Sequence, residues 1–226
     1  MGRITVLAGT NGAGKSSIAG HALREANGVY CNPDEETQSI RAGNPGMTLE
    51  QANACAWQKS VSLLRAAIVD GSDYTFETTL GGNTVTELLL AAAQAGHRLS
   101  IWYCGLDSPE HHVARVAARV AAGGHDIPEA KVRARYDASR MNMVRLMPHV
   151  TDLRVYDNSV EADPAAGLAP TPQLVLEIAN KALRFPATAE QLRATPAWAK
   201  AMVACAVGVG GWGNNQGAAE FDSKRT

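Results

Sequence analysis

The sequence predicts an α/β fold: a doubly wound, mostly parallel five-stranded sheet, a helical lid and a small C-terminal helical extension. Three observations predict it. Short β-branched or aromatic runs alternate with longer helical patterns, the order that builds a parallel sheet covered by helices on both faces. A glycine-rich turn separates the first apolar run from the first helix. Beyond Ala162 the alternation stops and a Pro/Ala/Gly-rich texture replaces it. Residues 1–162 are therefore read as the core, with a lid at about 115–136, and residues 163–226 as an extension and tail.

Each element has a local reason. Ile4-Thr5-Val6-Leu7-Ala8 is a buried strand, followed by the glycine-rich turn and a helix from about Lys15 to Ala26. Val29-Tyr30-Cys31 is a second strand, stopped by Asn32-Pro33. Thr48 followed by Gln51 is a capping-box signature that opens a long helix ending at Gly71. Tyr74-Thr75-Phe76 is a third strand, and Val85 to Ala95 a helix closed by Gly96. Leu99 to Cys104 is a fourth strand. Ser108-Pro109-Glu110 caps the next helix with proline at its first position. Leu153 to Tyr156 is a fifth strand. Leu174 to Ile178 fits either a short strand or a helix start, Ala187 to Val207 is helical, and Gly208 to Thr226 reads as a tail.

Composition narrows the function classes. The 226 residues are 46% hydrophobic and 19% charged, which suits a chain with a sizeable core. Lys plus Arg number 21 against 22 for Asp plus Glu, a formal charge of −1. With no bulk positive field, nucleic-acid binding is not expected. Any anion must be met by a local site. The four cysteines have neither zinc nor disulfide spacing, no signal-type segment precedes the first strand, and no stretch reaches the ~18 apolar residues of a membrane span. A cytoplasmic chain without a membrane partner is the expectation.

Gly9-Thr10-Asn11-Gly12-Ala13-Gly14-Lys15-Ser16 fits G-x-x-x-x-G-K-[ST], the P-loop, in its strand–turn–helix context. The glycines let successive backbone N–H groups point at phosphate oxygens. The helix start adds partial positive charge. Lys15 reaches the β- and γ-phosphates, and Ser16 offers its hydroxyl to Mg²⁺. ATP and Mg²⁺ are the cofactors this implies, with Gly9 to Ser17 as the binding segment.

In a doubly wound sheet, ligands sit beyond the carboxyl ends of the strands. Asp34, Glu77, Asp107 and Asp157 follow strands two to five there. Asp34 is the candidate base for an acceptor hydroxyl; its alternative is a residue that merely starts a helix after Pro33. Glu77 is a metal-ordering or substrate-binding carboxylate, or else the cap of the next helix. Arg115 and Arg119 share one helix face, a Gly-Gly tip breaks that helix, and Pro128 restarts a second one carrying Arg133 and Arg135. Folded over a triphosphate, such arginines would neutralise the phosphoryl group in transfer. His125 lies at the tip. With no N-K-x-D guanine motif, a small-molecule kinase is favoured over a GTPase or motor.

At these residues the chain resembles the zeta toxin family of P-loop kinases, in its shorter branch. The matching stretches are AGTNGAGKSS (8–17), NPDE (32–35), FETTLGG (76–82), RVAARVAAGGHDIPEAKVRARY (115–136) and VYDNS (155–159). The resemblance implies phosphorylation of a UDP-amino sugar, typically the 3′-hydroxyl of UDP-N-acetylglucosamine, and an antitoxin that blocks ATP entry. By matching position it gives Asp34 the role of base and Lys15 and Ser16 the ATP and Mg²⁺ roles. Glu77 and Thr78 fall in the sugar-nucleotide region, Arg119 and Arg135 in the lid, and Asn158 near the adenine end. The alternatives are a kinase for another sugar or metabolite, and a non-catalytic partner protein regulated by nucleotide.

Overall fold

The computed structural model describes residues 1–15, 18, 30–124, 126–160 and 171–210. The helix expected from Lys15 to Ala26 (apart from Lys15 and Ile18), His125, residues 161–170 and residues 211–226 of the expected tail lie outside these residues, while residues 208–210 of that tail are helical.

Strand β1 (Arg3–Ala8) runs through the middle of the sheet, with β2 (Tyr30–Cys31) and β3 (Tyr74–Thr78) on one side and β4 (Arg98–Gly105) and β5 (Asp152–Asp157) on the other. Ile4, Val6, Leu7 and Ala8 are all fully buried, because a parallel strand covered on both faces has no solvent side. Ala8 lies opposite Thr78 of β3 and Tyr103 of β4, so these carboxyl ends share one edge. The strand order reverses at β1, which puts the turn after it in the crevice where such sheets take ligands.

The caps read at Thr48 and Ser108 open helices, Asn32 opens another, and the helix expected over residues 187–207 is broken into Ala189–Arg193 and Lys200–Gly210. In α1 (Pro33–Gly43), Asn32 Oδ1 accepts from Asp34 N at 2.9 Å. In α2 (Leu49–Asp70) both bonds of the capping box form between Thr48 and Gln51, and Gly71 closes the helix in the left-handed region. Helix α3 (Asn83–Gln94) precedes β4. Ser108 caps α4 (Pro109–Ala121), which is followed by α5 (Glu129–Leu146) before β5. Between them, α4 and α5 form the helical pair expected as a lid.

The sheet has seven strands rather than five. Leu174 to Ile178 belongs to β6 (Gln173–Ala179), antiparallel to β5, and β7 (Ala182–Phe185) pairs with β6. Asn180 and Lys181 join the two at φ of 50° and 63°, the conformation of a two-residue hairpin loop. The extension is thus a strand hairpin followed by α6 (Ala189–Arg193) and α7 (Lys200–Gly210). Val175, Leu176, Met202 and Val203 join the main core, and Trp198 stacks on Tyr103 with ring centroids 6.3 Å apart. Among the described residues, no helix is long and apolar enough to cross a membrane.

Candidate active site

The turn after β1 is tightly wedged. A Cβ on Gly9 would lie 2.2 Å from the Cys104 carbonyl oxygen of β4, at a φ of +139° that only glycine adopts easily. Ala13 N donates to Thr10 O at 3.1 Å, curling the segment back on itself. Lys15 emerges from this curl with Nζ donating to Gly9 O at 2.9 Å and lying 3.4 Å from Glu77 Oε1. Both side chains are nearly buried, and Tyr30 Oη donates to Glu77 Oε2 at 2.8 Å. Glu77 therefore pairs with the loop lysine; it does not cap the next helix, whose N-cap is Gly82. Behind the loop, burial pushes the Cys104 thiol up to about 12, so it stays protonated.

A cavity of about 710 Å³ opens beside the loop. Asn11, Asp34, Glu77, Thr78 and Arg135 line it, with Glu50, Asn53, Trp57 and Val61 of α2 on one wall and Lys131 of α5 on another. Asp34 sits in the first turn of α1 and also faces this space, so the two readings of that residue are compatible. Asp107 and Asp157 have local duties instead. Asp107 accepts from Ser108 and contacts His111 at 3.0 Å, and Asp157 accepts from the Ser159 amide.

The four arginines of the helical pair part company. Arg135 Nη1 donates to Asn11 Oδ1 at 2.7 Å. Burial pulls the Arg135 guanidinium below its ordinary value, while the Asp34 carboxylate pushes it back up. Arg119 reaches Asp34 at 3.9 Å. Arg115 instead donates to Asn158 O at 2.7 Å, and Arg133 lies at the surface with Glu110 and Glu129. Arg119 thus stands at Asp34, and Arg135 at the loop residue Asn11. Asn158 lies beneath the loop, its Nδ2 donating to Ala13 O at 2.9 Å. Its buried Oδ1 has no hydrogen-bond partner among the described residues. Ser16 and Ser17 lie outside the described residues.

The family model AAA_33, an AAA domain, matches residues 4–145, from β1 almost to the end of α5. The chain belongs to this AAA domain family. An uncharacterized protein of Haemophilus influenzae (strain ATCC 51907 / DSM 11121 / KW20 / Rd) is 32% identical over 128 residues, 57% of this chain and 88% of that protein. Among solved structures, AvrRxo1-ORF1:AvrRxo1-ORF2 with sulphate ions superposes with a TM-score of 0.62 at 15% identity, over 88% of this chain and 64% of that one. The AvrRxo1-ORF1:-ORF2 structure with ATP gives 0.60 at 16% identity, over the same shares. This chain thus spans just under two thirds of those solved chains. The likeness is one of fold alone: an α/β sheet with helices on both faces.

Within this AAA domain, several lining residues escape motif reading. Glu50, Asn53, Trp57 and Val61 repeat at helical spacing, so a stripe of mixed chemistry on α2 was the available signal. Leu80 holds a φ of +53°, unusual for leucine, next to the cavity-lining Thr79 and Gly81. Asn142 of α5 clamps it there, donating to Leu80 O at 3.0 Å and Gly82 O at 3.3 Å. No local pattern marks Asn142, since its partners lie about 60 residues away.

Proposed function

We propose that this chain is an ATP-dependent phosphotransferase acting on a hydroxyl of a small substrate held in the cavity beside the loop. One observation carries the reading. Asp34 and Arg135 line a cavity sized for a small molecule, Arg119 stands 3.9 Å from Asp34, and Arg135 bonds Asn11 of the loop from which Lys15 emerges.

In this reading the backbone N–H groups of Gly9 to Lys15 bind the phosphates, and Lys15 moves from Glu77 to the β- and γ-oxygens. Asp34 accepts the acceptor's proton as the new O–P bond forms and the bridging bond to the leaving diphosphate breaks. Arg119 and Arg135 meet the charge on the phosphoryl group in flight. Asn158 is assigned to the adenine end by its place in the zeta-toxin-like stretch VYDNS.

Mg²⁺ fits the donor set. Mg²⁺ takes oxygen donors and is commonly held by one or two carboxylates with phosphate and water, and the Glu77 carboxylate lines the cavity beside the loop. In this reading Glu77 would help to hold it once Lys15 has turned to the phosphates, and Ser16 joins it by its place in the motif. When bound, the ion would neutralise charge on the β- and γ-oxygens.

The acceptor proposed is a UDP-amino sugar, on the strength of the zeta-toxin-like stretches, with Glu77, Thr78 and Asp34 in contact with it. A polypeptide partner that covers the nucleotide entrance belongs to the same reading. Its test is co-purification of the full chain with the product of a neighbouring gene. The main test is a mass-spectrometric acceptor screen: UDP-N-acetylglucosamine, free sugars and sugar acids are incubated with protein, ATP and MgCl₂. Gain of one phosphate by UDP-N-acetylglucosamine supports the full reading. Gain by another acceptor keeps the kinase and replaces the substrate, and gain by none refutes phosphotransfer.

A further inference from the structure

His112, in the first turns of α4, is almost completely buried and belongs to none of the motifs above. Its Nδ1 lies 2.8 Å from the carbonyl oxygen of Asn11 at the tip of the phosphate loop. A carbonyl can only accept, so Nδ1 carries the proton and the tautomer is fixed. The ring meets Tyr136 of α5 edge-on, with centroids 5.5 Å apart, and Tyr136 Oη donates to Asp107 O at 3.0 Å. Burial, with Lys15, His111 and Arg115 nearby, lowers the ring to about 4 against the pull of the Asn11 bond, so it is neutral at ordinary pH.

The peptide it grips is one that can turn over. Thr10 to Ala13 form a hydrogen-bonded turn with Gly12 in third place at a φ of +81°. That value is the type II form. The type I form differs by rotation of the Asn11–Gly12 peptide through about half a turn, and glycine permits both. In a trans peptide the C=O and the N–H point opposite ways. With the Asn11 carbonyl drawn to His112, the Gly12 N–H faces away from α4. In the flipped form the carbonyl would present negative charge to an incoming anion.

We infer that His112 is a positioning residue of the phosphate site: its Nδ1–H holds the Asn11 carbonyl outward and so keeps the Gly12 N–H aimed at the phosphates. The contact also ties the loop tip to both lid helices, because Asn11 is held from its other side by Arg135. The inference rests on the proposed nucleotide binding, and its test separates the two.

Two full-length variants divide the donor from the ring. His112→Phe keeps an aromatic ring against Tyr136 and removes the N–H. His112→Asn loses the ring and keeps an amide donor close to the place of Nδ1. The expected result by calorimetry is ATP affinity about tenfold to a hundredfold weaker in His112→Phe, the size of one charge-assisted hydrogen bond, with most of it restored in His112→Asn. Acceptor KM should hardly change. Wild-type affinity in His112→Phe, or equal loss in both variants, overturns the inference. A second readout is independent of nucleotide: ¹⁵N shifts of the His112 ring should show an Nδ1-protonated neutral imidazole, and an Nε2-protonated ring overturns the inference. If wild-type protein binds no ATP, the proposed function fails, and the tautomer still decides whether His112 holds the loop peptide.

Discussion

Separating Lys15 from Glu77 should destabilise the chain by an amount the structure sets. The two charges are 3.4 Å apart, with side chains only 9% and 11% exposed. At an effective dielectric near 20 their attraction is about 5 kcal/mol before desolvation is charged against it. Removing one partner of a buried pair typically costs about 3–5 kcal/mol, since the other charge is stranded. Here the stranded group keeps a companion: Lys15 retains Gly9 O, and Glu77 retains Tyr30 Oη. The lower end, about 3 kcal/mol, is therefore expected for Lys15→Met and for Glu77→Gln. The double variant should lose about 2 kcal/mol less than the sum of the two, because it strands nothing. Urea unfolding of the four proteins measures this cycle. Additivity within about 0.5 kcal/mol would refute the pair, and with it the idea that a resident carboxylate holds the loop lysine until phosphate competes for it.

Other outcomes follow from the same geometry. Asp34→Asn should keep ATP affinity and slow transfer by about 10²–10⁴ in single-turnover assays; wild-type transfer would remove Asp34 as base. Thr48→Ala breaks one bond of the α2 capping box outright and should cost about 1 kcal/mol in chemical denaturation, with ATP affinity unchanged. The depressed His112 ring gives a pH effect whose sign is fixed. The unfolded chain takes up the proton near 6.5 and the folded one only near 4, so stability falls as pH drops through that interval. About 2 kcal/mol should go between pH 7 and pH 5, with Lys15, His111, Arg115 and Tyr136 the groups around the ring. His112→Asn should flatten that slope.

What the sequence discloses depends on how local the physics is. The Thr48 box and the Ser108 cap involve residues a few positions apart, and each is where the pattern puts it. The β6–β7 hairpin is not legible in that way. Its apolar run is too short to tell strand from helix, and its Asn180-Lys181 turn lacks the glycine that usually marks a tight hairpin. The candidate site divides on the same line. Asp34, Glu77 and Arg135 stand in motifs, whereas Trp57 and Asn53 occupy a helix face that reads as ordinary surface until the fold turns it toward the loop. Choosing among four arginines needs tertiary structure, because helical spacing alone gives Arg115 and Arg119 the same face.

The central claim is that the loop after β1 takes a nucleotide triphosphate by its phosphates. Titration calorimetry of the full chain with ATP and MgCl₂ tests it most directly, with Lys15→Met run beside it. One ATP per chain is expected for the wild type, with a loss of at least tenfold in affinity without the lysine. No binding by the wild type, or equal binding by both proteins, would contradict it.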